Sequence, residues 1–256
     1  MSYLANLLKK HLEERNLTYE LRENYLNYKN NEPSIIEPIN YKISLSEIRP
    51  QIINWIIFLC DNLNFSIETL FRCVIIFDQY IGKVKKEKFN ENNILLIAIA
   101  SLSLATKIEE INCNYIKFLT DKVLNSPVNK KYTYKDLSKM EFEILKTINF
   151  KILYSTPIHF GKIFFELLKK TLLLNENILI NLWNSFEFYL KNILINEMYI
   201  TMLQSDIAYY CFVECCNDNG LNNNIIRKIY NIINYTEKEE HVTKNNFYNM
   251  IAIRSL

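Results

Sequence analysis

The chain has 256 residues, 49% of them hydrophobic and 23% charged, with a formal net charge of +2. That profile excludes disorder and, with acids and bases interspersed, leaves no electrostatic footprint for DNA or RNA. Only three glycines and five prolines are present, too few for the turns and phosphate loops of a β-rich or α/β enzyme, so an all-α protein is expected.

Residues 1–45 read as peripheral. A short helix is expected over Ser2–Asn16, with Leu4, Leu7, Leu8 and Leu12 on one side, followed by an extended connection over Asn30–Ser44 that holds Pro33 and Pro38. From Ser46 to Leu63 apolar residues recur at helical spacing: Ile48, Ile52, Trp55, Ile56 and Leu59. Ser66 is placed to cap a second helix from Ile67 to about Ile81, carrying Leu70, Val74 and Phe77, and Gly82 is placed to end it. A third helix follows Asn92 or Asn93 and runs to Ile108. Its body, ILLIAIASLSLAT, is apolar or small on every side, which predicts burial all round at the centre of a bundle. A fourth covers Tyr115 to about Leu124, before a loop with Pro127, Asn129, Lys130 and Lys131. Thr133 and Asp136 form a capping-box start for a fifth, with Leu137, Met140, Ile144, Leu145 and Ile148 on one face.

The short stretch Phe150–Thr156 leads into Pro157, a residue suited to the first position of a helix. The second half then repeats the plan. Pro157–Leu174 carries Phe160, Phe164, Leu167 and Leu168, and Ile178 to about Ile195 carries Leu182, Phe186, Tyr189 and Ile193. Ser205 is read as the cap of Asp206–Cys216, which Gly220 ends. Leu221–Ile233 and Thr236–Ile253 follow, the last opened by a second capping box, Thr236 with Glu239. The third helix of each half holds small residues: Ala98, Ala100, Ser101 and Ala105 in one, Ala208, Cys211 and Cys215 in the other. The expected architecture is two tandem five-helix bundles, over 46–155 and 156–256, preceded by the 1–45 segment.

Catalytic patterns are missing. The glycines (82, 161, 220) and histidines (11, 159, 241) are each far apart, so neither a phosphate loop nor an HExxH site exists. His159 reads as a polar residue of a helix N-terminus. Six cysteines form no CxxC pair; Cys60 and Cys73 lie in apolar runs and read as small hydrophobes, and no metal role is assigned to Cys211 and Cys215. Glu109 and Glu110 are adjacent, which on a helix sets them about 100° apart, so they form no acid/base pair. The longest uncharged apolar stretch, Ile94–Thr106, is short of the roughly 20 residues that span a bilayer. The expectation is a protein of the reducing cytoplasm or nucleus that is no enzyme, carries no metal or cofactor, and works by binding.

Three stretches carry a resemblance. IRPQIINWIIFLCDNLNFSIETLFRCVIIFDQYI (Ile48–Ile81), ASLSLATKIEE (Ala100–Glu110) and KMEFEILKTINFKILYSTPIHF (Lys139–Phe160) resemble, in order, the opening MRxILVDWL…E-T-L…LDRYL of the cyclin box, its A-x-x-L-A-x-K-x-E-E, and its MExxILxxLxFxLxxPTPxxF. They cover about 110 residues; the second half is similar only in helix pattern. The resemblance implies a regulatory subunit that binds and allosterically activates a cyclin-dependent serine/threonine protein kinase, in the nucleus and cytoplasm, with substrate or inhibitor peptides as further partners and neither nucleic acid nor membrane. Two competing classes are a cyclin-fold protein that acts like a transcription factor and a helical scaffold without a kinase.

Carried over by position, the resemblance makes Lys107 and Glu141 the residues that contact the kinase's C-helix region, with Glu109 and Glu110 beside them. Lys107 is the only charge between Ile94 and Ile108. At the end of a buried helix such a residue must reach solvent or find a partner. The resemblance makes Arg49 and Asp78 a structural pair holding the first two helices together, and Ile48, Ile52 and Trp55 a peptide-docking groove. Departures are Gln79 for the usual Arg after Asp78, Pro50 and Gln51 in the first motif, and Phe58 where an acidic residue often helps anchor the Arg of docking peptides. The first two helices resemble mitotic cyclins; the long loop from Asp121 to Thr133 is similar to that of transcriptional cyclins of the cyclin H type.

Overall fold

The computed structural model describes residues 19–36, 43–85, 89, 91–111, 132–172 and 174–233. The helices expected over Ser2–Asn16, Tyr115–Leu124 and Thr236–Ile253, with the second capping box, lie outside the described residues. Within them the structure is helical, with no strand: α1 (19–30), α2 (Ile43–Asn62), α3 (Ile67–Lys83), α4 (Ile94–Glu109), α5 (Tyr134–Thr147), α6 (Pro157–Leu172), α7 (Glu176–Leu194), α8 (Gln204–Asp218) and α9 (Asn223–Ile233). The chain separates into two units. One, centred on α4, comprises Pro33–Thr156 and Lys191–Leu203; the other, centred on α6 and α8, comprises Met1–Glu32, Pro157–Leu190 and Gln204–Leu256.

In the α4-centred unit, α4 packs mainly on α3 and α5 and more lightly on α2. Every residue of α4 from Leu96 to Thr106 is buried, a run of three turns that covers the whole circumference, so the helix is enclosed all round as its composition predicts. Small residues at Ala98, Ala100, Ser101 and Ala105, all fully buried, let the neighbouring helices approach. Two of the hydroxyls inside this apolar core are satisfied by their own helix, Ser101 donating to the Ile97 carbonyl and Thr106 to that of Ser103; the equally buried Ser103 hydroxyl has no partner among the described residues.

The caps fall where local chemistry sets them. Ser66 Oγ accepts from the Thr69 N–H at the start of α3. Thr133 and Asp136 make the full reciprocal box at the start of α5. Gly82 does not end α3, which continues to Lys83. A Cβ at that position would lie 2.9 Å from Ile36 Cγ2, so this glycine serves the close passage of the Ile36 segment. Burial on α3 extends beyond one face: every residue from Thr69 to Ile81 is buried, which obliges Arg72, Asp78 and Gln79 to find partners inside.

The other unit is an aromatic bundle. Phe164 and Phe212 join α6 to α8 with centroids 5.3 Å apart, and Phe165 meets Phe186 and Trp183 of α7 at 5.4 and 5.0 Å. Tyr25 of α1 packs edge-on against Phe160 at 5.2 Å. α8 begins at Gln204, so Ser205 is not its cap, as the sequence suggests, but part of its first turn. The Ser205 N–H, one of the donors a helix start leaves open, is taken by the Glu32 carboxylate at 2.6 Å. Gly220, at φ +70°, does terminate α8, with Leu221 N–H returning to the Cys216 carbonyl. Cys60, Cys73, Cys211, Cys215 and Cys216 are buried free thiols. Burial pushes the Cys60 thiol up to about 12 and those of Cys73 and Cys211 well above the ordinary value, so these three stay protonated and pack as small hydrophobes.

Candidate functional site

The last turn of α4 carries Lys107 and Glu109, its C-cap is Glu110, and each has a different partner. The Lys107 ammonium lies 2.6 Å from Glu141 Oε1 on α5, with side chains 37% and 13% exposed. A pair that open to water contributes at most about 1 kcal/mol to folding, so it leaves charge available at a surface without being needed to hold the bundle together. Glu109 turns inward, to the Nε of Arg72. Glu110 turns to the start of α3, where its Oε1 accepts from Thr69 Oγ1 at 2.5 Å, Ser66 N–H at 2.8 Å and Ser66 Oγ at 3.0 Å. The two adjacent carboxylates thus diverge, one from the last helical residue and the other from the extended cap that follows it. Burial alone would raise the pKa of Glu110, but the three donors outweigh it and hold the carboxyl below its ordinary value.

α5 and the segment that follows it expose three large apolar side chains, interspersed with exposed Lys146 and Lys151. Phe142 and Phe150 are each 60% exposed and Leu153 is 69% exposed. Glu141 and Leu145 share a helical face at i and i+4. The chain then closes over the end of α5, with Phe150 N–H donating to the Leu145 carbonyl at 2.7 Å and with Asn149 and Phe150 both at positive φ, 55° and 56°. A bulky aromatic residue in the left-handed region is strained, and such strain collects at functional sites.

Arg49 and Asp78 form a buried bidentate pair between α2 and α3, Nε to Oδ1 at 2.9 Å and Nη2 to Oδ2 at 2.8 Å; Arg49 Nη1 also donates to the carbonyls of Leu194 and Asn196. Gln79 clasps the Ser34 segment at two points, its Nε2 donating to the Ser34 carbonyl and its Oε1 accepting from Ser34 Oγ. On α2, Ile52 is buried in the core, Ile48 and Trp55 are half-buried, and Phe58 is 62% exposed. The face that Ile48, Trp55 and Phe58 present is uncharged. Among the described residues no group of three His, Cys, Asp or Glu side chains is placed to hold a metal ion, and no helix is long and apolar enough to cross a membrane.

Residues 10–153 match the family Cyclin, N-terminal domain, over more than half of the chain. The chain belongs to the cyclin family. This cyclin is 31% identical over 146 residues to Cyclin-B2-1 of Arabidopsis thaliana, covering 56% of the chain and 32% of that protein. It is 33% identical over 112 residues to G2/mitotic-specific cyclin-3 of Saccharomyces cerevisiae, covering 44% of the chain and 24% of that protein. The chain thus spans about a third or less of the length of these relatives. In fold it is similar to the crystal structure of a viral cyclin from herpesvirus saimiri, with a TM-score of 0.55 at 15% identity, covering 73% of this chain and 85% of the viral one.

Of the residues the resemblance singles out, the structure of this cyclin brings Lys107 to Glu141 and Arg49 to Asp78, and it ties Glu109 and Glu110 to α3. Sequence reasoning missed Arg72, Phe142, Phe150 and Leu153. Arg72 had a signal: it is the one charge in the run LFRCVIIF, on a helix otherwise reading as core. The three exposed apolar residues had none: Phe142 lies off the apolar face of its helix and Phe150 and Leu153 lie in the short stretch before Pro157, and single surface apolar residues are common enough to carry no signal.

Proposed function

We propose that this cyclin is a regulatory subunit that binds a cyclin-dependent serine/threonine protein kinase and activates it allosterically, in the nucleus and cytoplasm. The observation that carries the reading is the half-open Lys107–Glu141 pair, with Phe142 exposed on the same helix as Glu141 and Phe150 and Leu153 exposed in the segment that follows it. Exposed aromatic residues are enriched at specific interfaces, and a charge pair beside them steers the partner and fixes its register. The positions are those at which the family's motifs carry the contact with the kinase's C-helix. Docking there favours the kinase conformation in which the C-helix glutamate meets the ATP-binding lysine, provided the cyclin binds that state more tightly than the inactive one. The names of its relatives favour a cell-cycle role. The uncharged face of Ile48, Trp55 and Phe58 on α2 suits apolar residues of substrate or inhibitor peptides.

The test is binding and activation of a panel of purified cyclin-dependent kinase catalytic subunits. Removing one partner of a charge pair that becomes buried on binding costs about 2–5 kcal/mol, roughly 30- to several-thousand-fold in affinity. Lys107→Ala and Glu141→Ala should each lose activation while keeping the helical circular-dichroism signal, and Lys169→Ala, on an exposed position of α6, should change neither. Wild-type affinity in both variants would refute the assignment. Failure of the wild-type chain to bind any kinase would favour a cyclin fold working as a scaffold or transcription-factor-like protein.

A further inference from the structure

Arg72 lies in the middle of α3 and is 5% exposed. Its guanidinium has three partners: Nε donates to Glu109, and Nη1 donates to the carbonyls of Ile152 at 2.8 Å and Tyr154 at 3.1 Å. Glu109 is two residues beyond Lys107 on α4. Ile152 and Tyr154 follow Phe150 in the segment that leaves α5. A buried ion pair of this kind adds little to stability compared with an apolar side chain of equal volume, which would fill the same space without desolvating a charge. What an apolar side chain lacks is the ability to hold a carboxylate and two carbonyls in a fixed arrangement.

The segment so held is the strained one. Phe150 is a largely exposed aromatic residue at φ 56°, preceded by Asn149 at φ 55°, and such a conformation persists only where its surroundings over-determine it. On the α5 side it is fixed by the Phe150 N–H bond to Leu145. On the other side it is fixed by the two carbonyl bonds to Arg72.

We propose that Arg72 is a positioning residue for the kinase-binding surface: it locks the 150–154 segment to the end of α4, so that Phe150, Leu153 and the Lys107–Glu141 pair form one preorganised face. The inference rests on the kinase-binding reading. Without Arg72 the segment would have to be ordered at the moment of binding, which lowers affinity by about tenfold for one or two side chains.

A double-mutant cycle tests this, using the full chain and whichever kinase catalytic subunit of the panel binds wild type. Arg72→Met should weaken binding by about tenfold, and Phe150→Ala should weaken it on its own. Arg72→Met added to Phe150→Ala should cost little more, because the first change acts through the second residue. In the free protein, amide exchange over residues 150–154 should speed up in Arg72→Met. A general structural role would weaken binding equally in both backgrounds. Additive effects, or wild-type affinity in a folded Arg72→Met, would overturn the proposal while leaving the kinase reading intact. Should Arg72→Met lose its helical signal, Glu109→Gln, which weakens one arm of the clamp and leaves the carbonyl bonds, goes through the same cycle with the same criterion. A wild-type chain that binds no kinase refutes the functional reading instead, and this proposal with it.

Discussion

Two ion pairs of the α4-centred unit have similar geometry and unequal weight. Arg49 and Asp78 are 0% and 3% exposed in their side chains and meet at 2.8 Å; Lys191 and Asp61 meet at 2.7 Å but are 34% and 56% exposed. Distance does not separate them, solvent does. Asp78→Ala strands a guanidinium inside the protein and is expected to cost about 3–5 kcal/mol. Asp61→Ala leaves a lysine that water can serve, at a cost below about 1 kcal/mol. Urea unfolding of the two variants, monitored by circular dichroism, checks the contrast, and equal midpoints would contradict it. The same reasoning places the half-open Lys107–Glu141 pair on the side of function: its removal should register in kinase binding far more than in stability.

At the scale of helices, the close contacts rest on residues with little or no side chain. Gly161 on α6 faces α7 so tightly that an added Cβ would lie 2.4 Å from Phe186 Cε1 and 2.5 Å from its Cζ. Phe186 is fully buried, so the ring has no free space to enter. Gly161→Ala is therefore expected to destabilise by about 1–3 kcal/mol through overpacking, although alanine is the better helix former. A rise in melting temperature would show that α6 and α7 can move apart. Helix identity was legible from the sequence because its signals are local: Ser66, the Thr133–Asp136 box, Pro157 and the 3.6-residue apolar period each act within a turn or two. The errors at Gly82 and Ser205 share a cause. Both residue types usually mark helix ends, and here each serves a long-range contact, with Ile36 and Glu32 respectively.

For the molecule as a whole, two carboxylates bend the pH dependence of stability in opposite directions, one from each unit. Glu110 has a folded pKa below its ordinary 4.5. Its stabilising share is complete above 4.5 and is lost as pH falls through the folded value, and it is modest because the half-buried carboxylate remains partly open to solvent. Glu32 has a folded pKa above 4.5, because burial outweighs the bond from the Ser205 N–H. Its share is complete below 4.5 and is lost as pH rises through the folded value. Glu110→Gln should therefore flatten the acid side of the stability profile. Glu32→Gln, which can still accept the Ser205 bond, should raise stability near pH 7 relative to wild type. Urea midpoints measured from pH 3 to pH 7 separate the two; a shift of the same sign in both variants would refute the assignment.

The residue pattern alone determined the helical class, the enclosure of α4, the starts of α3, α5 and α6, and, through the family's motifs, the meeting of Lys107 with Glu141. Each depends on periodicity, capping or a motif readable within a short window. Only the tertiary structure decided which buried polar groups answer one another. Arg72 meets Glu109 across 37 residues, Gln79 meets Ser34 across 45, and Glu32 meets Ser205 across 173. It also decided that residues 191–203 group with the α4-centred unit and residues 19–32 with the other. A local pattern shows that a buried charge needs a partner, because desolvation is costly wherever the charge sits. It does not name the partner, because that choice depends on which distant segments the packed helices bring within 3 Å.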